Sequence, residues 1–265
     1  SCWPAIQGGH MSVCVFVVAE CVEVGICVLF MASGGRLPDP HVCESLLLLL
    51  AIETRQQSPG FERVEAQLLV HEAGVVARPF VEQGFQRHPR LFMVFPLEST
   101  PKPPQSLDPE IEIRRWAEHD YQPAAALITS AYRGHVDSEI NDQYRTLSGS
   151  LRFLNNIVRF PGCGTFDPEG SFVAVHKRTR SLVGLILCSR VRQDVGHVTQ
   201  VCVLPDYRSH GLGELLIAAT AGNLRQRNFS ILSLTVTEAN ARAVTLYQRL
   251  GFEIKRVFDA FVWEG

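Results

Sequence analysis

The stretch Val201-Cys-Val-Leu-Pro-Asp-Tyr-Arg-Ser-His-Gly-Leu-Gly-Glu-Leu-Leu-Ile217 constrains the fold of this chain more than any other. An apolar, strand-like run ends at Pro205, a short polar loop follows, and Gly211 and Gly213 stand where an amphipathic helix begins. That is the anatomy of a phosphate cradle. The first N–H groups of a helix lack intrahelical partners, the helix dipole adds partial positive charge, and glycine removes side chains that would hold an anion away. Arg208 adds a full positive charge to the loop. Alone, a Gly-x-Gly before a helix reads first as a plain strand-turn-helix connection, so the residues downstream decide.

With 265 residues, 46% apolar and 20% charged, the chain can bury one large core or two smaller ones. A net charge of -2 with scattered Lys and Arg offers no basic field for nucleic acid. The eight cysteines, Cys2, Cys14, Cys21, Cys27, Cys43, Cys163, Cys188 and Cys202, contain no Cys-x-x-Cys pair and lie mostly in apolar runs. They read as buried thiols of a reducing cytoplasm. None of the nine histidines falls in a His-Glu-x-x-His arrangement, so no metal site is expected. The apolar stretch Met11 to Met31 is broken by Glu20 and Glu23 and has no basic flank, which favours a β-hairpin over a membrane span or leader.

In chain order, 12–20 and 24–31 read as two antiparallel strands, 43–55 as a leucine-rich buried helix, and 62–70 as a strand. A short helix over 74–83 is closed by Gly84-Phe85, and a strand over 91–95 follows. The four prolines between Glu98 and Glu110 mark a linker, giving domains over 1–97 and 110–265 joined by 98–109. Strands are expected over 111–116, 172–176, 182–189, 196–204, 231–236 and 254–263. Helices are expected over 120–132, within 141–159, over 212–225 and over 240–250.

The two halves are self-similar. Phe16-Val-Val-Ala through Val24-Gly25 matches Phe172-Val-Ala-Val through Val183-Gly184, and Val70-His-Glu-Ala73 through Gly84-Phe85 matches Val236-Thr-Glu-Ala239 through Gly251-Phe252. The first copy lacks a counterpart of the 208–213 loop and has Phe80 where the second has Tyr247. Its expected role is packing, with the ligand site lost.

Two linked motifs carry a family resemblance. Arg208-Ser-His-Gly211-Leu-Gly213 after a strand resembles the pyrophosphate loop of the GNAT superfamily of acetyl-coenzyme A-dependent N-acetyltransferases. Asn240-Ala-Arg-Ala243-Val-Thr-Leu246-Tyr247-Gln-Arg-Leu-Gly251-Phe252 resembles that family's Asn-x-x-Ala-x-x-Leu-Tyr-x-x-x-Gly-Phe segment. The resemblance covers 110–265 as a complete domain and 12–97 as a divergent copy. It implies an α/β (α+β) fold of two GNAT-like domains, each a mixed, mostly antiparallel sheet flanked by helices, standing as a monomeric pseudo-dimer or a homodimer.

The resemblance further implies that Val201, Cys202 and Val203 bind the pantetheine arm of acetyl-coenzyme A through their backbone. The loop residues Arg208, Ser209, His210, Gly211, Leu212 and Gly213 would hold the pyrophosphate, with Asn240, Ala243 and Tyr247 completing the cofactor site. Asn240 equally suits a helix N-cap. Tyr247 matches the family's acid for the departing thiolate. Many relatives carry a glutamate near Gln200, and a glutamine is no useful proton acceptor, which leaves His197, Glu139 and Asp142 as candidate bases. Tyr132, Asn141, Asp142 and Tyr144 belong to the segment expected to receive an amine of a small molecule, amino acid, peptide or protein. Cys163 reads as a packing residue. The expected function is N-acetyl transfer without nucleic acid or membrane as partner; the alternative is a non-catalytic acyl-coenzyme A-binding module.

Overall fold

The computed structural model describes residues 16–21, 24–27, 63–67, 72–75, 77–98, 108–159 and 164–264. The described strands are β1 (Phe16–Cys21), β2 (Val24–Cys27), β3 (Arg63–Gln67), β4 (Gln86–Pro96), β5 (Ile111–Arg115), β6 (Thr165–Phe166), β7 (Phe172–His176), β8 (Leu182–Arg192), β9 (Val195–Val203), β10 (Ile231–Thr237) and β11 (Glu253–Glu264). The described α-helices are α1 (Ala77–Glu82), α2 (Tyr121–Ala131), α3 (Asp137–Ile140), α4 (Leu147–Val158), α5 (Leu212–Gln226) and α6 (Ala241–Arg249). The expected helix over 43–55, most of the 98–109 linker and the turn at 161–163 lie outside the described residues.

Two compact units are present: Ser1–Leu91 with Thr237–Ala239 and Arg256–Gly265, and Phe92–Val236 with Asn240–Lys255. In the first, β1 and β2 pair antiparallel with Cys21 opposite Val24, so the segment around Glu20 is a hairpin. On its other edge β1 pairs with β3, and β3 pairs with β11, Gln67 standing opposite Ala260. Phe80 of α1 is buried, stacked on Phe261 at 4.5 Å and edge-on to Phe85 at 5.3 Å. Gly84 ends α1 with a left-handed φ of 83° that a side chain would resist. The buried Asp259 carboxylate accepts from Arg87 Nε at 2.9 Å and Gly74 N at 2.6 Å.

In the second unit the strand order is β4-β10-β9-β8-β7-β5, with β6 on β8. β5, β7, β8 and β9 pair antiparallel, whereas β9 and β10 are parallel. Ala124, Leu127 and Ile128 of α2 and Leu154 and Ile157 of α4 form one core with Val173, Val175, Leu185, Leu187 and Cys202. Successive strand residues face opposite sides. Accordingly Gly184, next to Leu185, meets Leu216 of α5: a Cβ there would lie 3.3 Å from Leu216 Cδ1.

A bulge in β9 changes sides. Leu187 stands opposite Gln200 but Cys188 stands opposite Val198, so Thr199 is the extra residue. Before the bulge Gly196 abuts Leu224 of α5; after it Cys202 belongs to the α2 core. Gln200 shares the parity of Cys202 and turns with it. One boundary differs from expectation. β4 starts at Gln86, because its first half, Gln-Arg-His-Pro-Arg, lacks the alternating burial that begins at Leu91. The segment before α4 holds the short α3 and a 3-10 turn over Asp142–Tyr144, α4 starting only where Thr146 accepts from Gly149 N at 3.0 Å.

Candidate active site

The parallel pairing of β9 with β10 runs from Val195 opposite Ile231 to Val198 opposite Leu234, and both strands continue past it. Val201, Cys202 and Val203 lie in this extension, Cys202 buried and the two valines partly exposed. Burial pushes the Cys202 thiol up to about 12, so it stays protonated.

Beyond Val203 the chain turns through Pro205–Tyr207, and both Ser209 (φ 68°) and Gly211 (φ 75°) are left-handed. Gly211 is the N-cap of α5, whose first bond runs from Leu215 N to Gly211 O at 3.0 Å. A Cβ at Gly213 would meet nothing nearer than Leu246 Cδ2 at 3.7 Å. Leu212 is buried beneath, while Ser209 and His210 are exposed. The turn is therefore open and positive through the helix terminus, an arrangement suited to an anion.

Arg208 has structural partners as well. Its Nε donates to Val203 O at 3.0 Å and its Nη2 to Ala131 O, the last residue of α2, at 2.6 Å. A second cation reaches the loop from α6: Arg242 Nη2 donates to Ser209 Oγ at 2.8 Å. Arg242 sits between Asn240 and Ala243 in the second motif, and only the fold brings it to the loop.

Asn240 caps α6, its Oδ1 accepting from Ala243 N at 3.2 Å. Ala243 is half-buried, and Tyr247, one helical turn on, is buried with its ring 5.8 Å from Phe252. Burial holds the Tyr247 phenol well above its ordinary range, and the Asp137 carboxylate adds to the shift. Tyr247 is thus a phenol with its proton in place.

Tyr132 ends α2, and its hydroxyl donates to Val201 O at 3.4 Å. Its ring stacks on Tyr144 at 4.3 Å and meets His135 edge-on at 5.1 Å, and Tyr144 meets Phe153 of α4 at 4.9 Å. Burial pushes the Tyr132 phenol up, with Tyr144, Cys202, Asp137 and Tyr247 adding to it. Gln200, 5% exposed, receives the Tyr144 hydroxyl at 3.5 Å on Oε1, and its Nε2 has no hydrogen-bond partner among the described residues. A buried amide donor without a partner is costly and marks a place for an acceptor atom.

Asn141 caps the 3-10 turn through Gln143 N at 3.1 Å, and the half-buried Asp142 begins that turn. Glu139 is exposed on α3. His197 lies in the paired part of β9, its Nδ1 3.0 Å from Ser233 Oγ and its ring 6.4 Å from Phe92; burial lowers it to about 4. The Asp137 carboxylate raises both the Tyr132 and the Tyr247 phenol. Among the described residues no group of three or more His, Cys, Asp or Glu is placed to hold a metal ion, and no helix is long and apolar enough to cross a membrane.

Residues 136–252 match the family model of the acetyltransferase (GNAT) family. Over 98 residues the chain is 39% identical to a mycothiol acetyltransferase of Thermobifida fusca, covering 34% of this chain and 30% of that protein. Over 93 residues it is 40% identical to the mycothiol acetyltransferase of Thermobispora bispora, covering 33% and 31%. The matched region thus spans about a third of the length of these relatives. In fold it is similar to a tandem GNAT protein from the clavulanic acid biosynthesis pathway, with a TM-score of 0.59, 16% identity, and coverage of 98% of this chain and 81% of that one. Residues 136–252, which hold the open turn before α5, the capped α6 and Tyr247, thus resemble the acetyltransferases of the GNAT family, which use acetyl-coenzyme A.

Proposed function

We propose that the chain is an N-acetyltransferase built from two fused GNAT-like domains. The copy over 110–265 works and the degenerate copy over 1–97 serves as scaffold. The observation that carries this reading is Tyr247, a buried phenol of α6 that holds its proton and raises the Tyr132 phenol in turn. A decayed site would be expected to lose that tyrosine or the glycines of the turn, and the second copy keeps both.

Bound acetyl-coenzyme A would supply the activated acetyl group. The turn at 208–213 would hold its pyrophosphate, Arg242 and the α5 terminus supplying positive charge, and the extension of β9 would offer backbone groups to the pantetheine arm. Tyr247 would protonate the departing sulfur. An alkylamine is unprotonated in roughly one molecule in two thousand at pH 7, so a proton acceptor must serve it. The relatives named for mycothiol make small thiol-bearing amines the first acceptors to try.

The test is incubation with acetyl-coenzyme A and a panel of small amines, amino acids and peptides, read by mass spectrometry for acetylated product. Turnover that falls about a hundredfold or more in Y247F, with acetyl-coenzyme A binding retained, supports the proposal. Binding without turnover on the whole panel overturns it. That outcome would favour a non-catalytic acyl-coenzyme A-binding module, the reading that Gln200 in place of a strand carboxylate supports.

A further inference from the structure

Gln200 stands opposite Leu187 of β8, just past the Thr199 bulge, on the side of the sheet that Cys202 shares with α2. It is 5% exposed. A side-chain amide offers two donor hydrogens and a carbonyl acceptor, and burial ordinarily requires them to be paired. Here Oε1 receives the Tyr144 hydroxyl at 3.5 Å, longer than the roughly 2.7 to 2.8 Å of an ordinary O–H···O bond. Nε2 has no partner among the described residues. The amide is weakly held at one end and unanswered at the other, which costs stability. A methionine would fill much the same volume with no orphaned group, so packing alone does not call for glutamine.

The surroundings place this amide beside the site. Parallel pairing of β9 with β10 ends at Val198, two residues earlier, so Gln200 lies where β9 begins its unpaired extension. Tyr144 comes from the 3-10 turn Asp142–Tyr144, and α4 holds that turn through Ser150 Oγ, which donates to Gln143 O at 3.3 Å. The Tyr144 ring stacks on Tyr132 at 4.3 Å, and the Tyr132 hydroxyl donates to Val201 O, next to Gln200, at 3.4 Å. Two stacked phenols therefore reach the same stretch of strand.

An amide neither gains nor loses a proton near neutral pH, so its N–H groups serve recognition, and they ask for an oxygen. A carboxylate would have to leave water for a buried site with a neutral donor as partner, a costly exchange, whereas a hydroxyl or an amide carbonyl carries no such charge.

We propose that Gln200 is a specificity-determining residue of the acceptor site, its Nε2 donating to a neutral oxygen of the amine to be acetylated, with Tyr144 holding the other end of the amide. The inference rests on the acetyl-transfer reading. The favoured acceptors are amines that carry a hydroxyl or an amide carbonyl, ahead of plain alkylamines. Nε2 is covered until the acceptor arrives; side-chain rotation on binding, common at such surfaces, exchanges the long Tyr144 contact and uncovers it.

The experiment takes the best acceptor of the panel and analogues in which each hydroxyl in turn is replaced by hydrogen and each amide by its alkene isostere. kcat/KM is measured for wild type, Q200M and Y144F. In wild type, removing one particular oxygen should lower kcat/KM about 10- to 100-fold. In Q200M the intact acceptor should fall to within about threefold of that analogue, a non-additive pair of changes. Y144F should narrow the same gap by a smaller factor. Q200M should bind acetyl-coenzyme A as wild type does in calorimetry and melt no lower, since it leaves no donor unpaired.

A best acceptor without a neutral oxygen, indifference of wild type to the loss of every oxygen, or a preference that persists in Q200M would each overturn the inference. So would an equal fall for intact acceptor and analogue in Q200M. Should wild type bind acetyl-coenzyme A but acetylate nothing, the acetyl-transfer reading fails by itself. Calorimetry of the panel amines against the coenzyme A complex then decides. Recognition by Gln200 stands if oxygen-bearing amines bind and Q200M weakens them about tenfold, and it falls if they do not bind or Q200M leaves them unaffected.

Discussion

Arg208 Nη2 donates to Ala131 O at 2.6 Å, so the loop before α5 is tied to the last carbonyl of α2 by the side chain expected to meet the pyrophosphate. One guanidinium thus ties the 208–213 turn to the helix that delivers Tyr132. In R208A two carbonyl acceptors lose a charged donor, and stability should fall by about 1 to 3 kcal/mol in urea denaturation. R208K keeps the charge but not the fork, so it should show most of that loss while retaining part of the acetyl-coenzyme A affinity. Equal stability of R208A and wild type would remove the structural half of this assignment.

Asn240 is engaged as the cap of α6 through Ala243 N. N240A should cost about 1 kcal/mol, and N240D, which keeps the accepting oxygen, should restore it. If the amide nitrogen also serves the cofactor, N240D will be as stable as wild type yet bind acetyl-coenzyme A more weakly. Calorimetry and denaturation on the same two variants separate the roles.

Gly149 on α4 has no room for a side chain, since a Cβ would lie 2.5 Å from Gln143 O. The obstacle is backbone next to Tyr144, so G149A must shift the stacked tyrosine pair as well as strain the helix. A loss of about 1 to 3 kcal/mol is expected. Acceptor KM should rise more than the dissociation constant of acetyl-coenzyme A, measured by steady-state kinetics and calorimetry respectively.

His197 gives a pH signature. Burial lowers it to about 4, against about 6.5 in an unfolded chain. The unfolded state therefore binds a proton first as pH falls. The stability contributed by the neutral ring is complete above about 6.5 and drains away down to about 4. The loss over that window is on the order of 2 to 3 kcal/mol. H197Q should flatten this part of the curve in denaturation between pH 7.5 and 4.5, and an unchanged slope would show that His197 does not carry it.

Much of the second unit was legible in its residues because its elements are strongly patterned. The alternation in β9, the glycine-bearing turn at 208–213 and the Asn240 to Phe252 segment each point to one local geometry, and the fold has them there. The acceptor side was not. Nothing in the pattern of 134–146 announces the left-handed Gly134, the one-turn α3 and the 3-10 turn through which Tyr144 comes to stack on Tyr132. The bulge at Thr199 was equally hidden, because a single extra strand residue leaves no mark on an apolar run, yet it decides which way Gln200 faces. β4 was underread for the opposite reason: its early charged residues lack the alternation that burial imposes on the rest.

The pairing of β3 with β11 sets a schedule for synthesis. Arg63 and Glu264, which hold each other across that pair, are 201 positions apart. At about 5 to 20 residues per second, β3 would leave the ribosome roughly 10 to 40 s before its partner strand exists. Through that interval one edge of β3 is unpaired while β1, on its other side, is already made, and an exposed strand edge invites pairing with other chains. The first unit is encoded first and completed late, so its yield in cells should respond to chaperone supply and to translation speed more than its finished stability would suggest.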